Sequence, residues 1–388
     1  MAKAARAAAA PLHSGLPDEI AIWEILVRLP PKSLLRCRAV CRAWRSATSA
    51  RDFLLAHHAR QPALPIACGD ENGGSRYYLA AQLQPVARLD RAFCLCASCD
   101  GLLLLSEYST ATGDRFSICN PATRQYAPLP MRSDFIPLGM YRHRPSGEYR
   151  ILMHREAGFL AIDGQDACYI FALGSVQPPR NIGWPQVRFS GVPVLLHGSL
   201  HWHLDKHRYL EEHWHLDKYR YLEEHWHLDD HMSRSNIIVV FDTRTETFRK
   251  ICAPVVPDNN KLFEMDGMLG MSGFNDPGPI IDIWMMQDYE NEVWALKYRV
   301  ELKNADHLLV QFGRFVEHWN VAVASCDGDV LVLVKFGECL LQFDINGKLV
   351  CFNRKGLCLA QHRLKQTLVP HTFFPTLDGY SMNAWPFI

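Results

Sequence analysis

Nine of the 18 histidines fall between His197 and His231. They sit in a tract reading HWHLDKHRYLEE over 201–212 and HWHLDKYRYLEE over 213–224, and HWHLDD starts again at 225. His201/His203, His213/His215 and His225/His227 are pairs one residue apart, and on a strand both members of such a pair face the same way. Imidazole suits zinc, copper or nickel, so one reading is a metal site. The other is tandem duplication without chemistry, and the spacing favours it. Gly101 to Asn120 is 19 residues, whereas the equivalent interval from Gly198 to Asp242 is 44. Removing two 12-residue units leaves 20. Residues 201–224 then read as an insert in one hairpin, tolerated because lengthening a surface loop adds little closure entropy.

The cysteines offer a second candidate chemistry. There are 13, an odd number, which points to reduced thiols rather than a disulfide framework. Cys94-x-Cys96-x-x-Cys99 is the densest group. A zinc site would need a fourth ligand and usually a second separated pair, so the group reads as small apolar residues on a strand. Cys37 and Cys41 lie in an apolar helical context, and a nucleophilic thiolate needs a polar activating site. No G-x-S-x-G elbow, H-E-x-x-H, phosphate-binding G-x-x-x-x-G-K-[ST] or G-x-G-x-x-G occurs. Glu211-Glu212 reads as solvated, and Asp288-Tyr289-Glu290 as a hairpin turn. The expectation is therefore no catalytic residue, no cofactor and no metal ligand set. An enzyme or metal-dependent oxidase on this scaffold would need polar groups converging on a central channel, and none can be picked out.

The elements that carry these residues divide into two kinds. Residues 16–60 hold eight basic and four acidic residues, and residues 61–388 hold 31 basic and 37 acidic. The front is basic and the bulk mildly acidic, so no phosphate-binding patch is expected on the larger part. The longest apolar run, Ala167–Leu173, is seven residues, far short of the roughly 20 a membrane helix needs. No leader-like apolar segment opens the chain, which favours the cytoplasm or nucleus. In residues 16–60, Ile22, Ile25, Leu26 and Leu29 follow a helical stripe. Pro30-Pro31 ends that helix, and Pro31 can start the next, carrying Leu34 and Leu35. A third short helix carries Val40, Cys41 and Trp44. About 45 residues is near the lower limit for an independent core, so part of this apolar surface is left for a partner or for the rest of the chain.

From residue 85 onward, β-branched and aromatic runs alternate with Gly, Pro, Asn and Asp clusters. Three stretches repeat one plan: 100–106 with 116–130, 197–204 with 237–254, and 327–333 with 340–352. Each has a glycine turn, a strand, a gap, a second strand, and an Asn or Asp turn into a third. The repeat predicts a β-propeller of six to eight blades, with a β-sandwich as the alternative. The organisation expected is a disordered tail over 1–15, a three-helix unit over 16–60, a linker over 61–84 and the propeller over 85–388.

The helical segment resembles an F-box of the form that opens many plant F-box proteins. The matching residues are Leu16-Pro17, Ile20, Ile25-Leu26, Arg28-Leu29-Pro30, Lys32-Ser33-Leu34, Arg38, Val40-Cys41 and Trp44-Arg45. The larger segment resembles the F-box-associated domain over most of 94–350. That likeness is carried by Cys99-Asp100-Gly101-Leu102, Cys119-Asn120-Pro121, Trp202, Phe241-Asp242-Thr243, Glu246, Phe248-Arg249, Ile283-Trp284, Asp288-Tyr289-Glu290 and Trp294. The resemblance implies docking onto a Skp-type adaptor of a cullin–RING ubiquitin ligase. The contact would be made by Leu16, Pro17, Ile20, Ile25, Leu26, Leu29, Pro30, Leu34, Val40, Cys41 and Trp44. It also implies a protein target held by the propeller, with no nucleic acid and no membrane. The alternatives are an F-box scaffold outside ubiquitination, or a metal-binding propeller using the histidine tract.

Overall fold

The structure is a computed structural model. It describes residues 17–71, 74–79, 84–107, 113–155, 166–185, 187, 189, 191–203, 237–254, 260–275, 280–303, 320–326, 329–336, 339–353, 356–384 and 386–387. The expectations for 1–15 and for 204–224 lie outside the described residues. The chain divides into two compact units. One is residues 1–61 with 367–369, and the other is residues 62–366 with 370–388.

The first unit is helical. α1 (Asp18–Ile20) runs into a π turn (Ala21–Ile25) and a 3-10 turn (Leu26–Arg28). The expected continuous stripe is therefore broken. A π turn holds more residues than an α turn and shifts the phase, so Ile25 points outward while Leu26 and Val27 are buried. Pro30 is extended and Pro31 occupies the first turn of α2 (Pro31–Cys37), where its missing N–H costs nothing. The third helix, α3 (Arg42–Ser49), holds Trp44 but leaves Val40 and Cys41, which were expected in it, before its first turn. Cys41 is its N-cap, the sulfur accepting from the Trp44 N–H at 3.4 Å. A fourth helix, α4 (Arg51–Arg60), was not anticipated. Its Phe53 ring packs 5.6 Å from Trp23, and His57 donates from Nε2 to the Leu29 carbonyl at 2.8 Å. Arg38 clamps α2 to α3 through Thr48, reaching its carbonyl at 2.6 Å.

The second unit is a six-bladed propeller. The first three strands are β1 (Leu64–Glu71), β2 (Gly74–Leu79) and β3 (Gln84–Arg88), and the first two of them correct the expected linker at 61–84. Blade two holds β4 (Cys94–Cys99), β5 (Leu102–Glu107), β6 (Arg115–Asn120) and β7 (Gln125–Pro128). Blade three holds β8 (Phe135–Arg142), β9 (Tyr149–Arg155), β10 (Ala167–Ala172) and β11 (Arg180–Gly183). Blade four holds β12 (Val194–Leu196), β13 (Ser199–His203), β14 (Ile237–Asp242) and β15 (Thr247–Cys252). Blade five holds β16 (Lys261–Met265), β17 (Met268–Asn275), β18 (Ile280–Asp288) and β19 (Val293–Glu301). Blade six holds β20 (Asn320–Cys326), β21 (Asp329–Phe336), β22 (Cys339–Asp344) and β23 (Leu349–Asn353). Each is an antiparallel meander in chain order.

The ring closes non-locally. β24 (Cys358–Leu364) pairs with β1, from Leu64↔Leu364 to Cys68↔Cys358, and completes the first blade. Beyond it, β25 (Ser381–Met382) adds to β7 and covers the outer edge of blade two. Leu102 to Leu105 are all buried, as are Ile238 to Phe241. These central strands lie between neighbouring blades, so both faces are covered and the apolar run loses its alternation.

The turns explain the repeated plan. Asp100-Gly101, His197-Gly198 and Asp266-Gly267 each have two consecutive positive φ values, the signature of a two-residue I′ hairpin turn. They join the first and second strands of blades two, four and five. The third and fourth strands are joined by a second device. Asn120, Asp242, Asp288 and Asp344 each accept two backbone N–H groups on one side-chain oxygen, closing an Asx turn. A positive-φ residue follows in each: Arg124, Glu246, Glu292 and Gly347. β13 and β14 pair from Ser199↔Asp242 to His203↔Ile238, so the duplicated tract connects two adjacent strands of blade four.

Gly347 and Gly267 separate two costs of replacing glycine. Both have positive φ, at +74° and +76°. A Cβ on Gly347 would collide with the Glu301 carbonyl, whereas one on Gly267 meets nothing within 4 Å. Gly267→Ala should lose about 1 kcal/mol of stability. Gly347→Ala should lose more than about 3 kcal/mol, because backbone must move. Denaturant unfolding of the two variants checks the order, and equal losses would contradict this packing.

Candidate functional site

The helical unit leaves several large apolar side chains in water. Ile20, Trp23, Ile25, Leu35, Val40 and Leu55 are all exposed, Val40 at 67 %. Pro17, Pro30 and Cys41, from the expected contact set, are exposed too, and Leu29 and Trp44 are half-buried. Leu26 and Leu34 are sealed at 3 % and 0 % exposure and belong to the core of the unit. Leu16 lies outside the described residues. The local cause is compression. With four short helical pieces in about 45 residues, Leu26, Val27, Leu34, Phe53 and Leu54 fill the interior, and the remaining large side chains have no room beside them.

In the propeller, the chemistry-bearing residues knit the blades together. Glu246, at the positive-φ position of its Asx turn, accepts from Tyr141 Oη at 2.7 Å and Arg150 Nη1 at 2.6 Å, and pairs with Arg180. Burial opposes its charge, but the hydrogen bonds and the two arginines win and hold its carboxyl below the usual range. This joins blade three to blade four. The next seam runs through Tyr289. Its hydroxyl donates to His201 Nε2 at 2.7 Å and accepts from Arg249 Nη2 at 3.0 Å, while His201 Nδ1 donates to the Val194 carbonyl at 3.1 Å. Trp294 Nε1 donates to the Cys252 carbonyl at 3.0 Å across the same seam. Tyr149 Oη donates to Asp100 at 3.1 Å between blades two and three. The hairpin-turn reading of Asp288-Tyr289-Glu290 holds, between β18 and β19, but missed the seam role of Tyr289, which a lone aromatic in a turn does not advertise.

The inner strands β4, β8, β12, β16, β20 and β24 surround a central cavity of about 370 Å³. Asp100, His197, Lys261, Glu264, Arg363 and Lys365 supply charge and polarity to its wall. The Arg363 guanidinium donates to the carbonyls of Ala63 and Val323, both at 3.2 Å, and so ties blade one to blade six across the wall. Among the described residues, no three His, Cys, Asp or Glu side chains converge as metal ligands. His201 has both ring nitrogens engaged within the protein, and Cys99 is buried in the apolar interior between blades. The remaining histidine pairs of the duplicated tract lie outside the described residues. Among the described residues no helix is long and apolar enough to cross a membrane.

Burial pushes His201 and His362 down to about 4, and also lowers His57. The unfolded chain, with histidines near 6.5, then binds protons more readily than the folded one below that pH. Stability is full above about pH 6.5 and falls as the pH drops toward 4, by up to about 3 kcal/mol for each of His201 and His362. His362→Gln, which can still offer an N–H to the Leu95 carbonyl that His362 meets at 3.1 Å, should flatten that fall. Urea midpoints at pH 7 and pH 5 test it, and an unchanged slope in the variant would contradict it.

Comparison with known proteins agrees with both units. An F-box-like family model matches residues 13–59, and the F-box associated beta propeller domain matches residues 81–335. F-box protein At5g49610 of Arabidopsis thaliana is 26 % identical over 390 aligned residues, covering 91 % of this chain and 97 % of the relative. F-box protein At3g07870 of the same plant is 23 % identical, covering 84 % of this chain and 82 % of its own length. With six blades of antiparallel strands, an N-terminal helical unit of matching extent and a family match over more than half its length, this chain belongs to the F-box proteins that carry an F-box-associated β-propeller.

Proposed function

We propose that this protein is the non-catalytic substrate-recognition subunit of an SCF-type cullin–RING ubiquitin ligase. The observation that carries the reading is the apolar surface of the helical unit, where Ile20, Trp23, Ile25, Leu35 and Val40 stand exposed. Covering one such side chain contributes roughly 1.5–3 kcal/mol, and a few well-packed ones dominate an interface. A Skp-type adaptor would cover them. In this reading Pro17, Ile20, Ile25, Pro30, Val40 and Cys41 make the contact, Leu29 and Trp44 flank it, and Leu26 and Leu34 hold its shape from beneath.

The propeller then presents a target protein. Binding residues are commonly carried on the loops that connect the strands of such a scaffold. The protein makes and breaks no bond. Holding target and ligase together turns an encounter between two molecules into a step within one assembly. The ligase reading places it in the cytoplasm or nucleus.

Ile25→Asp combined with Val40→Asp should abolish co-purification with a Skp-type adaptor while leaving the thermal unfolding of the full chain nearly unchanged, since both side chains are already in water. Leu34→Ala should instead destabilise the helical unit by about 2–5 kcal/mol through the cavity it leaves. Retention of the adaptor by the double aspartate variant would overturn the proposal.

A further inference from the structure

Two cysteines meet where the propeller closes. In the ladder between β1 and β24, Cys68 and Cys358 are direct Cα partners. Directly opposed residues in an antiparallel pair lie about 4.5–5.5 Å apart at Cα and project to the same face of the sheet. That spacing falls inside the range of about 4.4–6.8 Å that disulfides span. The two thiols differ in setting. Cys358 is exposed, and the Lys335 ammonium donates to its sulfur at 3.1 Å. Cys68 is half-buried beside the apolar cluster of Leu64, Ile66 and Leu364. Burial first, and the neighbouring Cys358 and Cys94 second, push its thiol up to about 11.

We propose that Cys68 and Cys358 form a redox-modification site, in which a peroxide converts the pair into a disulfide that locks the ring of blades. Cys358 is the sulfur that reacts first, because it is exposed and faces a cation. Its electron pair attacks one peroxide oxygen, the O–O bond breaks, and the departing oxygen leaves as water after taking the thiol proton. Cys358 is then a sulfenic acid. The Cys68 sulfur attacks the Cys358 sulfur, the S–O bond breaks, and the hydroxyl leaves with the Cys68 proton as a second water. Two thiols are oxidised to one disulfide and one peroxide is reduced to two waters. A tie between residues so distant in sequence restricts the unfolded chain more than a short cross-link would. It joins the N-terminal strands of blade one covalently to the C-terminal strand that completes it. The thiols of this site need no contribution from the helical unit, so the proposal is independent of the ligase reading.

The test uses the reduced full-length chain treated with hydrogen peroxide. Peptide mass mapping without reductant should recover a cross-link between the peptides that contain Cys68 and Cys358, and dithiothreitol should remove it. The oxidised protein should unfold several degrees higher than the reduced one. That shift should be absent from both Cys68→Ser and Cys358→Ser. Since serine could perturb the strand pairing, the mapping of the unaltered chain decides independently. Three results would overturn the proposal: oxidation of Cys358 that stops short of a disulfide, a link from Cys358 or Cys68 to Cys94 or Lys335 instead, or a Cys68–Cys358 disulfide that leaves the unfolding temperature where it was.

Discussion

The pairing of β24 with β1 is the constraint on which the rest of the propeller depends. Leu64 lies opposite Leu364, so residues 300 positions apart must find each other before the ring exists. Until they do, the first blade has three strands and an open edge, and the flanks of its neighbours lack their partner. Such long-range pairing carries a closure cost that local hairpins do not, and it predicts slow folding relative to a helical protein of this size. Once it forms, Ala67 and Leu359 pack with Leu333 and Leu340 of blade six, while Leu64 and Leu364 pack with Leu103 and Leu105 of blade two. One pair of strands thus seals both sides of the first blade.

The polar residues of the propeller follow from the same geometry. Wedge-shaped blades meet closely near the axis and diverge outward, leaving their outer turns to be tied by long side chains. Glu246, Tyr289 and Trp294 do this by reaching from one blade to the next, while Tyr149 reaches an inner turn through Asp100. They carry strongly placed charges and hydroxyls, but each is consumed by structure. The low-titrating His201 is a case in point. Its place in an H-x-H pair suggests metal ligation, yet one nitrogen faces a carbonyl and the other a tyrosine hydroxyl. Its chemistry is to remain neutral and satisfied inside a seam.

Local signals were legible in the sequence and non-local ones were not. Asp100-Gly101 and His197-Gly198 announce I′ turns because few residue pairs accept two positive φ values, and the Asn or Asp before the outer strand of four blades announces an Asx turn. Those two devices, repeated, were enough to indicate blades. The strands at 64–79 were read as a linker because the partner that completes their blade lies at the far end of the chain and Pro65 interrupts the pattern. In the helical unit the apolar stripe gave the first helix but not its π turn, and so not the outward turn of Ile25. Helix α4 went unrecognised because its polar and apolar residues show no clean helical stripe, and Phe53, Leu54 and His57 declare themselves only once packed. The resemblance supplied the expected contact set only as a list of residues. Its division into surface and core, with Leu26 and Leu34 inside, needed coordinates.

The two units pose opposite energetic problems. The propeller covers its strands so fully that runs such as Leu102 to Leu105 are dry on both faces, whereas the helical unit leaves Ile20, Ile25 and Val40 in water. An isolated chain gains nothing from that exposure, and a partner gains a binding surface. The direct measurement is reconstitution: the purified full-length chain is mixed with a Skp-type adaptor and a cullin–RING pair and resolved by size-exclusion chromatography with light scattering. The account predicts a single stoichiometric assembly that persists at high salt, since apolar burial rather than charge holds it. Separate elution of this chain from the adaptor would contradict it.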